Sequence, residues 1–203
     1  MALVAWGEHE FEAAHGLPEV LPAGERMLWQ GSPSWRGLAA DALHWRKVAL
    51  YFVLLLGWQV ASVAADGGGA GPAALAALRG LPLALLALGL LGLLAWLMAR
   101  TAVYTITDRR VVMRIGIVLS VSFNLPLTQI VSAEMRPRAD GSGDIALTLA
   151  AGQRIAWLHL WPHVRPWRLS PTQPMLRALP DVERIGRLLA DAARERKAVG
   201  AMG

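Results

Sequence analysis

Two long apolar runs, close together, decide most of what this chain can fold into. Residues 48–65 (VALYFVLLLGWQVASVAA) and 81–99 (LPLALLALGLLGLLAWLMA) contain no ionised side chain. At 1.5 Å rise per residue, a helix of the first run covers roughly 27 Å, close to the hydrocarbon thickness of a bilayer. In the second run Pro82 falls where a first helical turn tolerates a missing N–H. Between them, Asp66-Gly-Gly-Gly-Ala-Gly-Pro72 is a turn cluster, followed by an Ala/Leu stretch containing Arg79. The expectation is a transmembrane hairpin over 48–99 with helices at 48–65 and 81–99. The 55% hydrophobic content of the 203 residues is concentrated in this stretch, which implies two solvents for one chain.

Basic residues orient the hairpin. Arg36, Arg46 and Lys47 precede the first run, Arg100, Arg109 and Arg110 follow the second, and Arg79 alone lies in the connection. The positive-inside tendency then makes the protein multi-pass with both termini cytoplasmic. Trp45, Arg46 and Lys47 at one end of the hairpin and Trp96 and Arg100 at the other are the predicted membrane-interface anchors, the two indoles lying at the same cytoplasmic level. Gln59, Ser62, Gly89 and Gly92 are candidates for the helix contact, with ordinary helix composition as the simpler reading. The acidic segment 1–20 lacks a secretory pattern, so no cleaved signal is expected. Basic charge gathers from residue 100 onward, where fifteen Lys/Arg face eight Asp/Glu.

Beyond Arg100 the apolar pattern turns from continuous to alternating. Ala102, Tyr104 and Ile106 alternate with Val103, Thr105 and Thr107, the period of a strand, and Asp108-Arg109-Arg110 leads into a second strand carrying Val111, Met113 and Ile115. Further strands are predicted over 119–125, 130–135, 145–149 and 155–160, with turns at 139–144 and 151–152. About six short strands at this spacing make a small antiparallel sandwich or barrel. Residues 161–180 hold five prolines and are expected to form no regular element. Asp181 is the predicted N-cap of a closing helix with Val182, Ile185, Leu188, Leu189 and Ala192 on one face, ending near 197 before a flexible tail at 198–203.

Catalytic signatures are missing. The five histidines are His9, His15, His44, His159 and His163, none inside an apolar run, so imidazole ligation of a pigment within lipid is disfavoured. Pro162 separates His159 from His163, and no carboxylate cluster adjoins them. There is no Cys, GxSxG, phosphate loop, HExxH or carboxylate pair, and Asp140-Gly-Ser-Gly-Asp144 is too short and too poor in acidic ligands for a calcium loop. The expectation is a non-enzymatic protein without cofactor, metal or nucleic-acid partner.

The run Tyr104-Thr-Ile-Thr-Asp-Arg-Arg-Val-Val-Met-Arg-Ile-Gly116, directly after an apolar hairpin, resembles the YxxTxxRxxxxxG opening of bacterial pleckstrin-homology-like membrane domains. That resemblance implies a membrane α+β fold in which the hairpin interrupts an antiparallel PH-like sandwich or barrel closed by a C-terminal helix. Residues 21–47 and 100–197 then form one cytoplasmic domain, with an early strand from Leu21-Pro-Ala-Gly-Glu-Arg-Met-Leu-Trp-Gln-Gly31. Leu21 to Glu25, Leu28 to Gly31, Arg46-Lys-Val48, Gly141-Ser-Gly-Asp144, and above all Leu160-Trp-Pro-His-Val-Arg-Pro-Trp-Arg168 with Pro174-Met-Leu-Arg177, are similar to a family of photosynthetic-complex assembly proteins over nearly the whole chain. This implies an assembly factor in the inner (intracytoplasmic) membrane of a purple phototrophic bacterium. It would hold reaction-centre or core light-harvesting subunits, acting as one copy or as a homodimer.

Three readings of the basic, Trp-rich stretch stay open. Trp161, His163, Arg165, Trp167 and Arg168 form a candidate partner site, since Trp and Arg are enriched at hot spots. They also suit anionic headgroups of membrane lipid. Alternatively the rings simply cap the sheet. The competing function is a general membrane-anchored PH-like module binding lipid or envelope proteins.

Overall fold

The computed structural model describes Leu17, residues 21–150 and residues 155–201. The acidic segment, Leu17 apart, and the turn expected at 151–152 lie outside the described residues. The chain divides into two compact units: a β-domain with residues up to Ser34 and from Met98 onward, and a helical unit Trp35–Leu97. The inner edge of the domain thus falls at Ser34, ahead of the expected 47.

Among the described residues, seven strands build the β-domain. Strands β1 (Met27–Gly31), β2 (Val103–Thr107), β3 (Arg110–Ile115) and β4 (Val121–Pro126) form one antiparallel sheet in that order. Strands β5 (Ile130–Pro137), β6 (Gly143–Leu149) and β7 (Met175–Leu179) form the other. The early strand expected before the apolar runs is β1, and it pairs with β2 although the whole helical unit separates them in sequence. No ladder joins β4 to β5, which are linked by a 3-10 turn at Leu127–Gln129, so the two sheets make an open sandwich and not a closed barrel.

The period-two pattern places Tyr104, Ile106, Val111, Met113 and Leu125 of the first sheet in one buried cluster with Ile145, Leu147, Leu176 and Leu179 of the second. The helices in chain order are α1 (Trp35–Gly37, continuing as a π-turn over Leu38–Ala42), α2 (Trp45–Ala65), α3 (Ala70–Thr101), α4 (Trp157–Leu160) and α5 (Val182–Ala201). The predicted face of α5 closes the core: Val182, Ile185, Leu189 and Ala192 are buried and Leu188 is half-buried. Asp181 caps this helix, its Oδ1 accepting the Arg184 N–H at 3.4 Å. The helix continues to Ala201, through the start of the stretch expected as a tail.

Two strand expectations change. Residues 155–160 form no strand; Trp157–Leu160 is the short helix α4. The third strand of the second sheet comes instead from the proline-rich stretch, where β7 pairs with β6 through Ile145↔Leu176 and Ala146↔Met175. Pro171 and Pro174 precede β7 and Pro180 follows it, and Pro174, which has no N–H to give, joins β6 only by its carbonyl, accepting the Leu147 N–H at 2.8 Å.

In the helical unit the connection shrinks to Asp66–Gly69, because the Ala/Leu stretch with Arg79 is already helical. At 32 residues α3 is about 48 Å long, and Pro82 sits inside it. The close approach of α2 and α3 is at Gly80, where a Cβ would lie 2.5 Å from Leu56 Cδ2 and 3.2 Å from Gln59 Oε1. Gly89 and Gly92, candidates for that contact, have nothing within 4 Å of a Cβ, in keeping with the simpler reading of ordinary helix composition. Leu50, Val53, Leu54, Trp58, Leu83, Leu86 and Leu90 all point outward exposed. Both α2 and α3 are long and apolar enough to cross a membrane.

Candidate functional site

The four residues that define the motif each have a structural task. Thr107 accepts the N–H groups of Arg109 (3.1 Å) and Arg110 (2.9 Å), forming the β2–β3 turn, and donates its hydroxyl to Glu25 Oε1 at 2.8 Å. Arg110 Nε pairs with the same buried oxygen at 2.9 Å. This knot ties the segment before the helical unit to the segment after it. Gly116, with φ +124°, lets the chain leave β3; a Cβ there would meet the Leu119 carbonyl oxygen at 2.1 Å.

Tyr104 lies at the centre of a buried polar cluster. Its oxygen accepts the Arg177 backbone N–H at 3.3 Å, and its hydroxyl shares a hydrogen bond of 2.5 Å with His163 Nδ1. Asp144 accepts the Ala178 N–H at 2.8 Å and pairs with Arg138 at 2.8 Å. Burial holds the Tyr104 hydroxyl well above its ordinary value, against the opposing effect of the Arg177 backbone bond. Burial, reinforced by the nearby Arg177 charge, pushes His163 down to about 3. The imidazole is therefore neutral at physiological pH, with one ring nitrogen protonated and the other an acceptor.

The structure separates the five residues of the candidate partner site. His163 is 2% exposed and belongs to the core, so it supports the surface from below and cannot itself touch a partner. Arg165 is half-buried and engaged, with Nη1 on Glu134 Oε2 at 2.6 Å and on Gln173 Oε1 at 3.0 Å. Trp161 (41% exposed), Trp167 (95% exposed) and Arg168 face outward. Leu158 and Leu169, which the sequence reading passed over, are also exposed. Leu158 escaped notice because a strand at 155–160 would have given it an inward or outward side by alternation, whereas one turn of helix turns it out while burying Leu160.

Among the anchors, Trp45, Arg46 and Lys47 occupy the first turn of α2, and Trp96 and Arg100 the last turns of α3, all exposed. The two indoles are not level. Trp45 Nε1 donates to the Leu88 carbonyl at 3.0 Å, and Leu88 precedes Trp96 by two helical turns, roughly 12 Å. Asp140-Gly-Ser-Gly-Asp144 is the predicted hairpin turn: Asp140 Oδ1 accepts both the N–H and the hydroxyl of Ser142, which hold its carboxyl below the ordinary value. Among the described residues no three of His, Cys, Asp or Glu are grouped to share a metal ion.

Comparison with known proteins agrees with this anatomy. Residues 50–193 match the family described as Bacterial PH domain. A Rhodobacter capsulatus protein, named as an uncharacterized 23.7 kDa protein in the puhA 5' region, is 37% identical over 188 residues, covering 92% of this chain and 88% of that protein. No solved structure matches. With a sandwich of seven antiparallel strands, a C-terminal helix and a sequence match across most of its length, the chain belongs to the bacterial PH domain family.

Proposed function

We propose that this protein is a non-catalytic assembly factor, of the PuhB type, for the photosynthetic reaction centre and core light-harvesting complex of a purple phototrophic bacterium. The observation that carries the reading is the relative at 37% identity over nearly the whole chain, whose gene context hints at photosynthesis. The outward Leu and Trp side chains of α2 and α3 support insertion in the inner (intracytoplasmic) membrane, because apolar faces of that extent are not left to water. The basic first turn of α2 and Arg100 at the end of α3 support cytoplasmic termini.

The surface offered to a reaction-centre or antenna subunit is the exposed set Leu158, Trp161, Trp167, Arg168 and Leu169. It combines apolar area with a guanidinium, the composition of a hot spot. The buried Tyr104–His163 bond holds the backbone of this stretch against the sheet. Deletion of the gene is expected to lower reaction-centre or core-antenna absorbance while pigment synthesis persists; unchanged spectra refute the proposal. Trp161→Ala with Trp167→Ala is expected to abolish co-purification with a photosynthetic subunit from mild detergent while the domain stays folded. The family match alone favours a second reading, a general PH-like module binding lipid or envelope proteins, which predicts normal spectra in the deletion strain.

A further inference from the structure

The turn between β3 and β4 breaks the alternation of its flanking strands with three consecutive apolar residues, Ile117-Val118-Leu119. Val118 is 90% and Leu119 82% exposed, more than any other aliphatic side chain among the described residues. Such a tip is unfavourable in water and needs an occupant on its apolar side.

Register shows where the tip lies. Gly31 pairs with Tyr104, Val103 with Arg114, and Ile115 with Val121. One end of the first sheet therefore carries the strand end leading toward α1, the strand that begins where α3 finishes, and the 116–120 turn. The cleft there confirms the adjacency: Met98, in the last turn of α3, lines a space of about 190 Å³ together with Gly116, Ile117, Trp161, Pro162 and His163. Arg100 and Arg114 lie at the same end, Arg114 reaching Ser120 Oγ at 3.5 Å.

We propose that Val118 and Leu119 insert into the membrane leaflet from which α3 emerges, backed by the half-buried Ile117, pinning the β-domain to that surface at a third point besides its two chain connections. The occupant is lipid because the apolar tip stands beside the final turn of the apolar helix, at the level where that helix leaves the bilayer. The inference rests on the membrane-spanning reading of α2 and α3.

The chain has no cysteine, so single substitutions give clean labels. Val118→Cys, Arg109→Cys in the turn at the far end of the sheet, and Leu86→Cys on the outward face of α3 are each labelled with an environment-sensitive fluorophore. The full-length protein is placed in nanodiscs of zwitterionic and anionic phospholipid, with and without spin-labelled lipid. Insertion predicts blue-shifted emission and severalfold lipid quenching at 118 and 86, with neither at 109. A label at 118 that reads water, as at 109, while 86 is quenched overturns the proposal and leaves the spanning reading intact. Emission at 118 that is blue-shifted yet unquenched by lipid also overturns it, identifying protein as the occupant. Loss of quenching at 86 as well overturns both readings together.

Discussion

The buried imidazole makes the β-domain sensitive to acid in a calculable way. His163 has an ordinary value of 6.5 and is pushed down to about 3 in the folded protein by burial and by Arg177. Between these two values the unfolded chain binds a proton that the folded chain refuses, so stability falls as pH falls; above 6.5 and below about 3 this group contributes no slope. Lowering the pH from 7 to 5 protonates the unfolded imidazole almost completely and the folded one hardly at all, a loss of about 2 kcal/mol. Arg177 and Asp144 stand around the Tyr104–His163 pair. The perturbation to compare is His163→Gln, whose amide oxygen can still accept the Tyr104 hydroxyl and which does not titrate. Hydrogen exchange of the β2 and β6 amides in full-length protein, corrected for the intrinsic pH dependence, reads the opening free energy without unfolding the helices. Wild type should lose about 2 kcal/mol more than His163→Gln between pH 7 and 5. Equal losses would refute the assignment of a neutral, proton-refusing imidazole.

Three further outcomes follow from the packing. Arg110→Ala leaves the Glu25 carboxylate buried with only Thr107 as partner and should destabilise the domain by about 3 kcal/mol, read by thermal melting; the double variant with Glu25→Ala should recover part of that loss. Gly80→Val drives a side chain into Leu56 and Gln59 and should weaken the α2–α3 contact by about 1–3 kcal/mol in detergent titration, whereas Gly89→Val, facing open space, should leave it unchanged. Trp167→Ala should alter stability by no more than about 0.5 kcal/mol, since the ring is almost wholly exposed; a larger loss would show that it packs as a cap.

Much of this architecture is written locally. The uncharged runs identify α2 and the second half of α3, strict alternation marks β2, β3 and β6, and the 182–192 periodicity selects the buried face of α5. The Tyr104–Thr107–Arg110–Gly116 spacing signals a turn whose hydrogen bonds are largely its own. These features depend on each residue's own solvent, which periodicity reports directly.

Choices between segments of similar local character were settled by long-range packing. Residues 155–160 are a short apolar run of strand length, yet the place beside β6 is filled by Met175–Leu179, whose side chains are all buried. The Ala/Leu stretch before Leu81 becomes helix where Gly80 meets Leu56 of α2, and that same packing sets Trp45 opposite Leu88 instead of level with Trp96. His163 is another such case. Hydropathy pointed to the anchors and the Trp-rich stretch to a surface, but a histidine's burial depends on finding a hydrogen-bond partner. That partner is Tyr104, far away in sequence and adjacent only once the two sheets are stacked.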